Sequence, residues 1–321
     1  MSRVSVLVPS FNYGPLLKRC IDSVLAQRHS QLELVISDDA STDASDAIIR
    51  SYRDPRIVYE RQPHNLGMVP NWRRCAALAS GEYLLLLGAD DYLKPNMLAR
   101  CAQVLDRDEE IAFCHTAAEF FVDPGTVVST TGAFRRSYVA RGRDRVEAFL
   151  RGQRVVNSAR VFGRSVFQAL GGWSDAYKNC MDADLWFRML LGYKVGYVGE
   201  ILVGFRSHPV SAAWTLMQAE EDLRFTRAMF EMLPPELADL RALFPELERV
   251  QALRSLAAVS SLPPTPEREQ VLARLRRDTG ILDGAAAPNA QRSTTFKAQL
   301  LLWAARLPAP LRYRLGDQYG G

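Results

Sequence analysis

No apolar run in this 321-residue chain approaches the roughly 20 residues needed to span a bilayer. The apolar stretch at the start is short and Pro9 ends it, so no signal-peptide pattern is read there. Cysteine is sparse: five residues, an odd number, with no CxxC. Zinc and thioredoxin-type sites therefore have no support. Reduced thiols in a cytoplasmic protein are the simplest account. Neither GxGxxG nor GxxxxGK(S/T) appears, so there is no glycine-rich phosphate loop. No charge sign dominates, because 40 basic and 36 acidic residues leave +4. A broad face for nucleic acid is not expected, and no nucleic-acid partner is. There is no internal repeat. With 48% hydrophobic and 24% charged residues, disordered, collagen-like and coiled-coil classes are excluded.

What is present is alternation. Residues 4–8, 32–37, 57–61, 83–87 and 111–116 read as short apolar strands. Residues 16–26, 43–53, 69–79 and 96–106 read as helices between them, the second following the cap types Ser41 and Thr42. Nearly continuous apolar strands alternating with helices predict an α/β fold, a mostly parallel sheet flanked by helices. From 117 to 216 the pattern is mixed, with short strands at 160–162, 194–198 and 201–205 around a helix starting near Asp182. From 217 the chain reads helical, interrupted by Pro234-Pro235 and Pro263-Pro264, with a linker at 280–289. The expected division is a region 1–216, in halves 1–116 and 117–216, and a helical C-terminal extension 217–321.

Ligands bind beyond the carboxyl ends of the strands in such sheets. The first strand runs into Pro9-Ser10-Phe11-Asn12-Tyr13-Gly14, the second into Asp38-Asp39, and the fourth into Gly88-Ala89-Asp90-Asp91. One aspartate pair alone is ordinary turn and cap chemistry. Two pairs on one sheet edge point to a shared crevice. Asp90-Asp91 suit a hard cation, since Mg²⁺ takes one or two carboxylates plus substrate phosphates. Asp38-Asp39 suit a nucleobase N–H or a ribose hydroxyl.

Taken in order, VSVLVPSFNYGPLLKRCIDSVLAQ, ELVISDDASTD, NLGMVPNWRRCAALASGEYLLLLGADDYLKP, VFGRSVFQALGGWSD, DADLWFRM and VGFRSHP resemble the motifs of glycosyltransferase family 2. The resemblance covers about residues 3–211. It implies an inverting, nucleotide-sugar-dependent enzyme of the GT-A fold. It implies a donor site of Pro9, Phe11, Asn12, Tyr13, Asp38, Asp39, Asn65, Gly67, Asp90 and Arg206. It puts Mn²⁺ or Mg²⁺ on Asp91, Asp90 and His208, and the catalytic base on Asp182. Trp173 and Asp184 fall on the acceptor side, where Trp173 would stack on a sugar face or serve as a core aromatic. Two positions depart from the family pattern: Gly88 stands at the first acidic position of the metal motif, and Met181 replaces a glutamate beside the base.

The implied reaction moves a sugar, from UDP before dTDP or GDP, to a glycan or lipid-linked acceptor in cell-surface polysaccharide or lipopolysaccharide assembly. A sugar nucleotidyltransferase on a related fold is the first rival, and residues 6–13 lack its GxGxR signature. A non-catalytic scaffold on the same fold is the second, motivated by Gly88 and Met181. Between Gly284 and Gly316 lie five basic residues and no acidic one, among them Trp303 and three consecutive leucines. That segment reads as a helix packed on the core or in a homodimer, or as a peripheral contact with the inner membrane surface.

Overall fold

The computed structural model describes residues 2–123, 125–131, 136–152, 155–207 and 212–280. His208, the expected linker from 281 and the basic tail lie outside them. The chain divides into two compact units, Met1–Gln251 and Ala252–Gly321.

The first unit opens with the expected alternation. Strand β1 (Val4–Ser10), helix α1 (Gly14–Leu25), β2 (Leu32–Asp38), α2 (Ser45–Ser51), β3 (Ile57–Arg61), α3 (Met68–Leu78) and β4 (Tyr83–Leu86) follow one another. All seven residues of β2 and six of seven in β1 are buried, because helices cover both faces. Helix α1 shows how it pays its way into the core: Pro15 opens its first turn, and Leu17, Cys20, Ile21 and Val24 form one buried stripe. Helix α2 starts two residues later than the pattern suggested. Asp43 turns its carboxylate onto the backbone N–H (2.9 Å) and hydroxyl of Ser45, and so ends the preceding loop there.

Then come β5 (Tyr92–Leu93), α4 (Met97–Leu105), β6 (Ile111–Val122), β7 (Thr126–Thr130), β8 (Tyr138–Arg141), α5 (Arg143–Leu150), a 3₁₀ turn (Asn157–Ala159), β9 (Arg160–Gly163) and α6 (Arg164–Ala169). Helix α7 (Met181–Gly192), β10 (Lys194–Arg206) and α8 (Ala212–Glu231) complete the part that carries the site. The sheet order is β3-β2-β1-β4-β9-β6-β10-β5, with β7 on β6 and β8 on β10. Six strands of that path point one way; β9 and β5 run against them. Strand β6 is twice as long as expected, and the two strands expected at 194–198 and 201–205 are one. Register shifts between Val198 and Ile201 absorb the interruption.

Residues past Leu233 continue helically through 3₁₀ turns (Pro235–Leu243) into α9 (Phe244–Ser260). In the second unit α10 (Pro266–Thr279) is capped by Thr265, whose hydroxyl accepts from Arg268 N at 3.1 Å, and closed by Gly280 at φ +65°. No helix among the described residues is long and apolar enough to cross a membrane.

Candidate active site

The carboxyl ends of β1 and β2 lie side by side, and their loops are stitched together. Asn12 and Ala40 both hold φ +59°, the left-handed region. Asn12 N donates to Ser41 Oγ (2.8 Å), and Thr42 N donates to Asn12 Oδ1 (2.8 Å). Asp43 Oδ2 accepts from Gly14 N at 2.9 Å. Asp38 is fully buried; its Oδ1 accepts from the backbone and hydroxyl of Ser41, and Oδ2 sits 3.3 Å from Arg61 Nε. Asp39, 2% exposed, reaches across to the next loop: Oδ1 accepts from Leu66 N (2.6 Å) and Oδ2 from Gly67 N (3.0 Å). Asn65 donates to the Asp39 carbonyl, and Gly67 takes φ +89° before α3. Asp39 therefore fixes the loop between β3 and α3, and Phe11 is exposed.

Asp90 and Asp91 follow β4. Asp91 is 2% exposed and held from two sides: Ser158 Oγ donates to Oδ2 (2.5 Å), and Arg206 N donates to Oδ1 (2.8 Å). Ser158 also accepts from Gly88 N at 3.2 Å. Arg206, at the end of β10, brings Nη1 within 3.6 Å of Asp90 Oδ2, and its Nε donates to Asp123 at 2.6 Å. Arg19 of α1 donates to the Asp90 carbonyl (3.2 Å) and rests on the Phe121 ring at 4.3 Å. The Tyr13 phenol is raised by burial, then by the charges of Asp90 and Asp91. Burial, then the neighbouring Asp90 carboxylate, pushes the Asp91 carboxyl up to about 7.

Gly88 keeps the space before this pair open. A β-carbon there would lie 2.8 Å from Asp91 Oδ2 and 3.2 Å from Asp90 Oδ1. One oxygen from each aspartate thus borders the small gap left by the missing side chain of Gly88, and two such carboxylate oxygens are the donor chemistry of a hard cation. Among the described residues no group of three or more His, Cys, Asp or Glu side chains gathers. Water and phosphate oxygens would have to complete such a shell.

Between about pH 4 and 7 the folded protein keeps a proton on Asp91 that the unfolded chain has released. Its contribution to stability therefore falls as pH rises through that window and is level above it. Metal-free wild type should lose stability relative to Asp91→Asn across pH 4–7, by on the order of a few kcal/mol. Thermal melts of both proteins at matched pH check this; parallel curves would contradict it.

Asp182 opens α7 and borders a separate cavity of about 190 Å³ with Arg160, Cys180, Trp186, Gln218 and Asp222 in its wall. Its Oδ1 accepts from Ala183 N at 2.7 Å. The Arg160 guanidinium, two residues after Ser158, lies 4.5 Å over the Trp186 ring. The cavity and the aspartate pair are thus joined by one short segment, 158–160.

Two acceptor-side expectations meet a different environment. Trp173 is 1% exposed, packed edge-on against Trp72 (5.6 Å) and Phe167 (4.8 Å). It is a core aromatic, not a platform for a sugar, because other rings already cover it. Trp173→Ala should cost about 3–5 kcal/mol of stability, measured by chemical denaturation. Asp184 is also buried. It pairs with Arg188 (2.8 Å), which in turn donates to the carbonyls of Leu170 and Gly172 and so secures the glycine turn.

The structure brings the remaining residues into two groups: Pro9, Asn12, Asp38, Asp39, Asn65 and Gly67 around the first loops, and Tyr13, Asp90, Asp91 and Arg206 around the acidic pair. Sequence reasoning missed Arg19, Asp123 and Ser158. Ser158 is 67 positions from Asp91 and sits in no pattern, so only the fold reveals it.

A family model described as glycosyl transferase family 2 matches residues 5–171. The chondroitin synthase of Escherichia coli is 23% identical over 188 residues, 58% of this chain and 26% of that protein. The chain spans 23% and 36% of the length of two further curated relatives. The mannosyltransferase PcManGT of Pyrobaculum calidifontis, solved with GDP-Man and Mn²⁺, is similar at TM-score 0.60 and 19% identity, over 99% of this chain and 84% of that one. S. aureus TarS 1–349 with UDP-GlcNAc gives 0.56 and 14%, over 96% and 82%. At these identities the structural likeness shows the fold, which is GT-A.

Proposed function

Since the chain belongs to glycosyl transferase family 2, we propose that it is an inverting transferase that moves a sugar from a nucleoside diphosphate to an acceptor hydroxyl. Asp39 and the loops it ties together would receive the nucleoside. Asp90 and Asp91 would hold Mn²⁺ or Mg²⁺ in the gap at Gly88. A cation bound there supplies positive charge beside the departing diphosphate. Arg206, already over Asp90, adds a second positive group to the same place.

Asp182 would take the proton of the acceptor hydroxyl. The acceptor oxygen forms a bond to the anomeric carbon from the far side as the carbon–oxygen bond to the diphosphate breaks, its electron pair leaving with the diphosphate. Inversion follows from one displacement and needs no protein nucleophile. Asp182 lies in the first turn of α7, where the positive end of the helix dipole favours an acidic side chain.

One observation carries this reading: an oxygen of each of Asp90 and Asp91 faces the gap at Gly88, with Arg206 beside them. UDP is the first candidate nucleotide; dTDP and GDP follow. The similarity to a chondroitin synthase supports a glycan acceptor; a place in surface-polysaccharide assembly at the cytoplasmic side of a membrane is proposed on the family motifs alone. His208 is proposed beside the diphosphate on the family motif alone.

Calorimetric titration of UDP, dTDP and GDP, each with and without Mn²⁺, tests it. Binding of one nucleotide that strengthens with Mn²⁺ supports the transferase. No binding under any condition would sink the donor site. A scaffold that binds nucleotide without transferring sugar is the second reading, favoured by the protein donors already on both Asp91 oxygens. Nucleotide binding without turnover would select it.

A further inference from the structure

Helix α8 begins 41 residues beyond the family match, yet it grips the loop that delivers Asp182. Glu221 is 8% exposed. Its Oε1 accepts from Lys178 N (2.8 Å) and its Oε2 from Asn179 N (2.6 Å). Carboxylate-to-amide bonds of this kind are charge-assisted, and two on consecutive residues fix both position and orientation of a backbone. The neighbouring Asp222 takes the Cys180 thiol at 3.3 Å. Arg224, one turn on from Glu221, donates to the Ala176 carbonyl at 2.6 Å and lies 5.0 Å over the Tyr177 ring. Residues 176–180 are therefore held along their length by a single turn of α8, and Met181 and Asp182 follow at once. Gln218 and Asp222, four apart on the same helix, stand in the wall of the Asp182 cavity.

We propose that Glu221 is a positioning residue for transfer: it fixes the loop 178–180 so that Asp182 meets the acceptor hydroxyl, and α8 is thereby part of the acceptor side of the site. The proposal rests on Asp182 being the base. Among the described residues the hydrogen bonds and ion pair of Glu221 run to Lys178, Asn179 and Arg224, on the Asp182 side. A misplacement of about 1 Å costs on the order of 10²-fold in rate, so the effect should fall on turnover.

The test compares full-length wild type, Glu221→Gln, Glu221→Ala and Asp182→Asn. Backbone hydrogen exchange is followed in peptides covering 176–184 and 86–93, with UDP and GDP titrated by calorimetry. Release of nucleoside diphosphate from UDP-GlcNAc and GDP-Man gives kcat and the donor KM. Expected are faster exchange confined to 176–184, nucleotide Kd and donor KM within twofold of wild type, and kcat lower by about 10²-fold in Glu221→Ala. Glu221→Gln, which keeps one acceptor oxygen, should fall between. It also stands in should the alanine variant fail to fold. A general structural role would instead weaken donor binding and kcat together.

Unchanged exchange at 176–184, or wild-type kcat in Glu221→Ala, overturns the proposal. Wild-type turnover in Asp182→Asn defeats the assignment of Asp182 as base on which it rests, and no nucleotide release by wild type defeats the transfer reading itself. An inactive Asp182→Asn beside a fully active Glu221→Ala defeats the positioning role alone.

Discussion

Asparagine at position 182 should lower turnover by about 10²–10⁴-fold and leave nucleotide affinity within twofold. The substitution keeps the side chain's shape and an oxygen to accept from Ala183 N, as Asp182 does at 2.7 Å. It removes the negative charge and with it the capacity to take a proton. Helix α7 should still start where it does, since its first turn keeps the second carboxylate, that of Asp184. Steady-state rates with calorimetric affinities measured on the same samples separate the two effects. Turnover equal to wild type would move the base to another residue. Parallel loss of nucleotide binding would mean that the cavity at Asp182 and the donor loops are not the separate sites their contacts indicate.

The second large effect is expected from Asp91→Ala. This change deletes one of the two oxygens facing the gap at Gly88 and strands Ser158 Oγ and Arg206 N, which both donate to that carboxylate. Arg206 would lose the anchor that holds its chain over Asp90. The gain in nucleotide affinity that Mn²⁺ brings to wild type should vanish, a loss of about 10²-fold or more at saturating metal. Metal-free affinity should change far less, because the nucleoside loops are fastened by Asp39 and Asn12 rather than by Asp91. Titrations of the variant with and without Mn²⁺ decide it. An undiminished Mn²⁺ effect would place the cation elsewhere. Together with the inert-geometry variant at 182, it would separate how the donor is held from how the acceptor is activated.

The parallel half of the fold was legible because its strands are buried on both faces and so appear as unbroken apolar runs between helical stripes. Strands β1 to β4 match their expected positions within two residues at each end. The region from 117 to 160 was not legible, for the opposite reason. All five residues of β7 are exposed, so neither face carries an apolar signature. Strand β8 has four residues and alternates weakly. The division of β10 into two came from Gly199 and Glu200, which read as a break but lie in a bulge.

The site divides in the same way. Aspartates at strand ends announce themselves through the sheet rule. The residues that hold them do not: Ser158 and Arg206 reach Asp91 over 67 and 115 positions. Trp173 stood between two readings because an aromatic beside a glycine turn looks alike in sequence whether it faces a ligand or Trp72. Gly88 looked like a missing carboxylate. In the fold it is also the residue whose small size leaves both remaining carboxylates room.

Ala40 invites a thought about how such a loop ages under mutation. It sits at φ +59°, where an L-residue with a β-carbon pays roughly 1–2 kcal/mol that glycine would not. Glycine would in turn return about 0.4–1 kcal/mol to the unfolded chain as added freedom. The relief of strain is the larger, so Ala40→Gly should be neutral to stabilising, by up to about 1.5 kcal/mol. What it would change is the breadth of shapes the loop samples beside Asp39. On the proposed function, an exchange that does not weaken the fold is then a change in grip by the measure of nucleotide dissociation rate, and a lineage could tune how long it keeps its donor without disturbing its core.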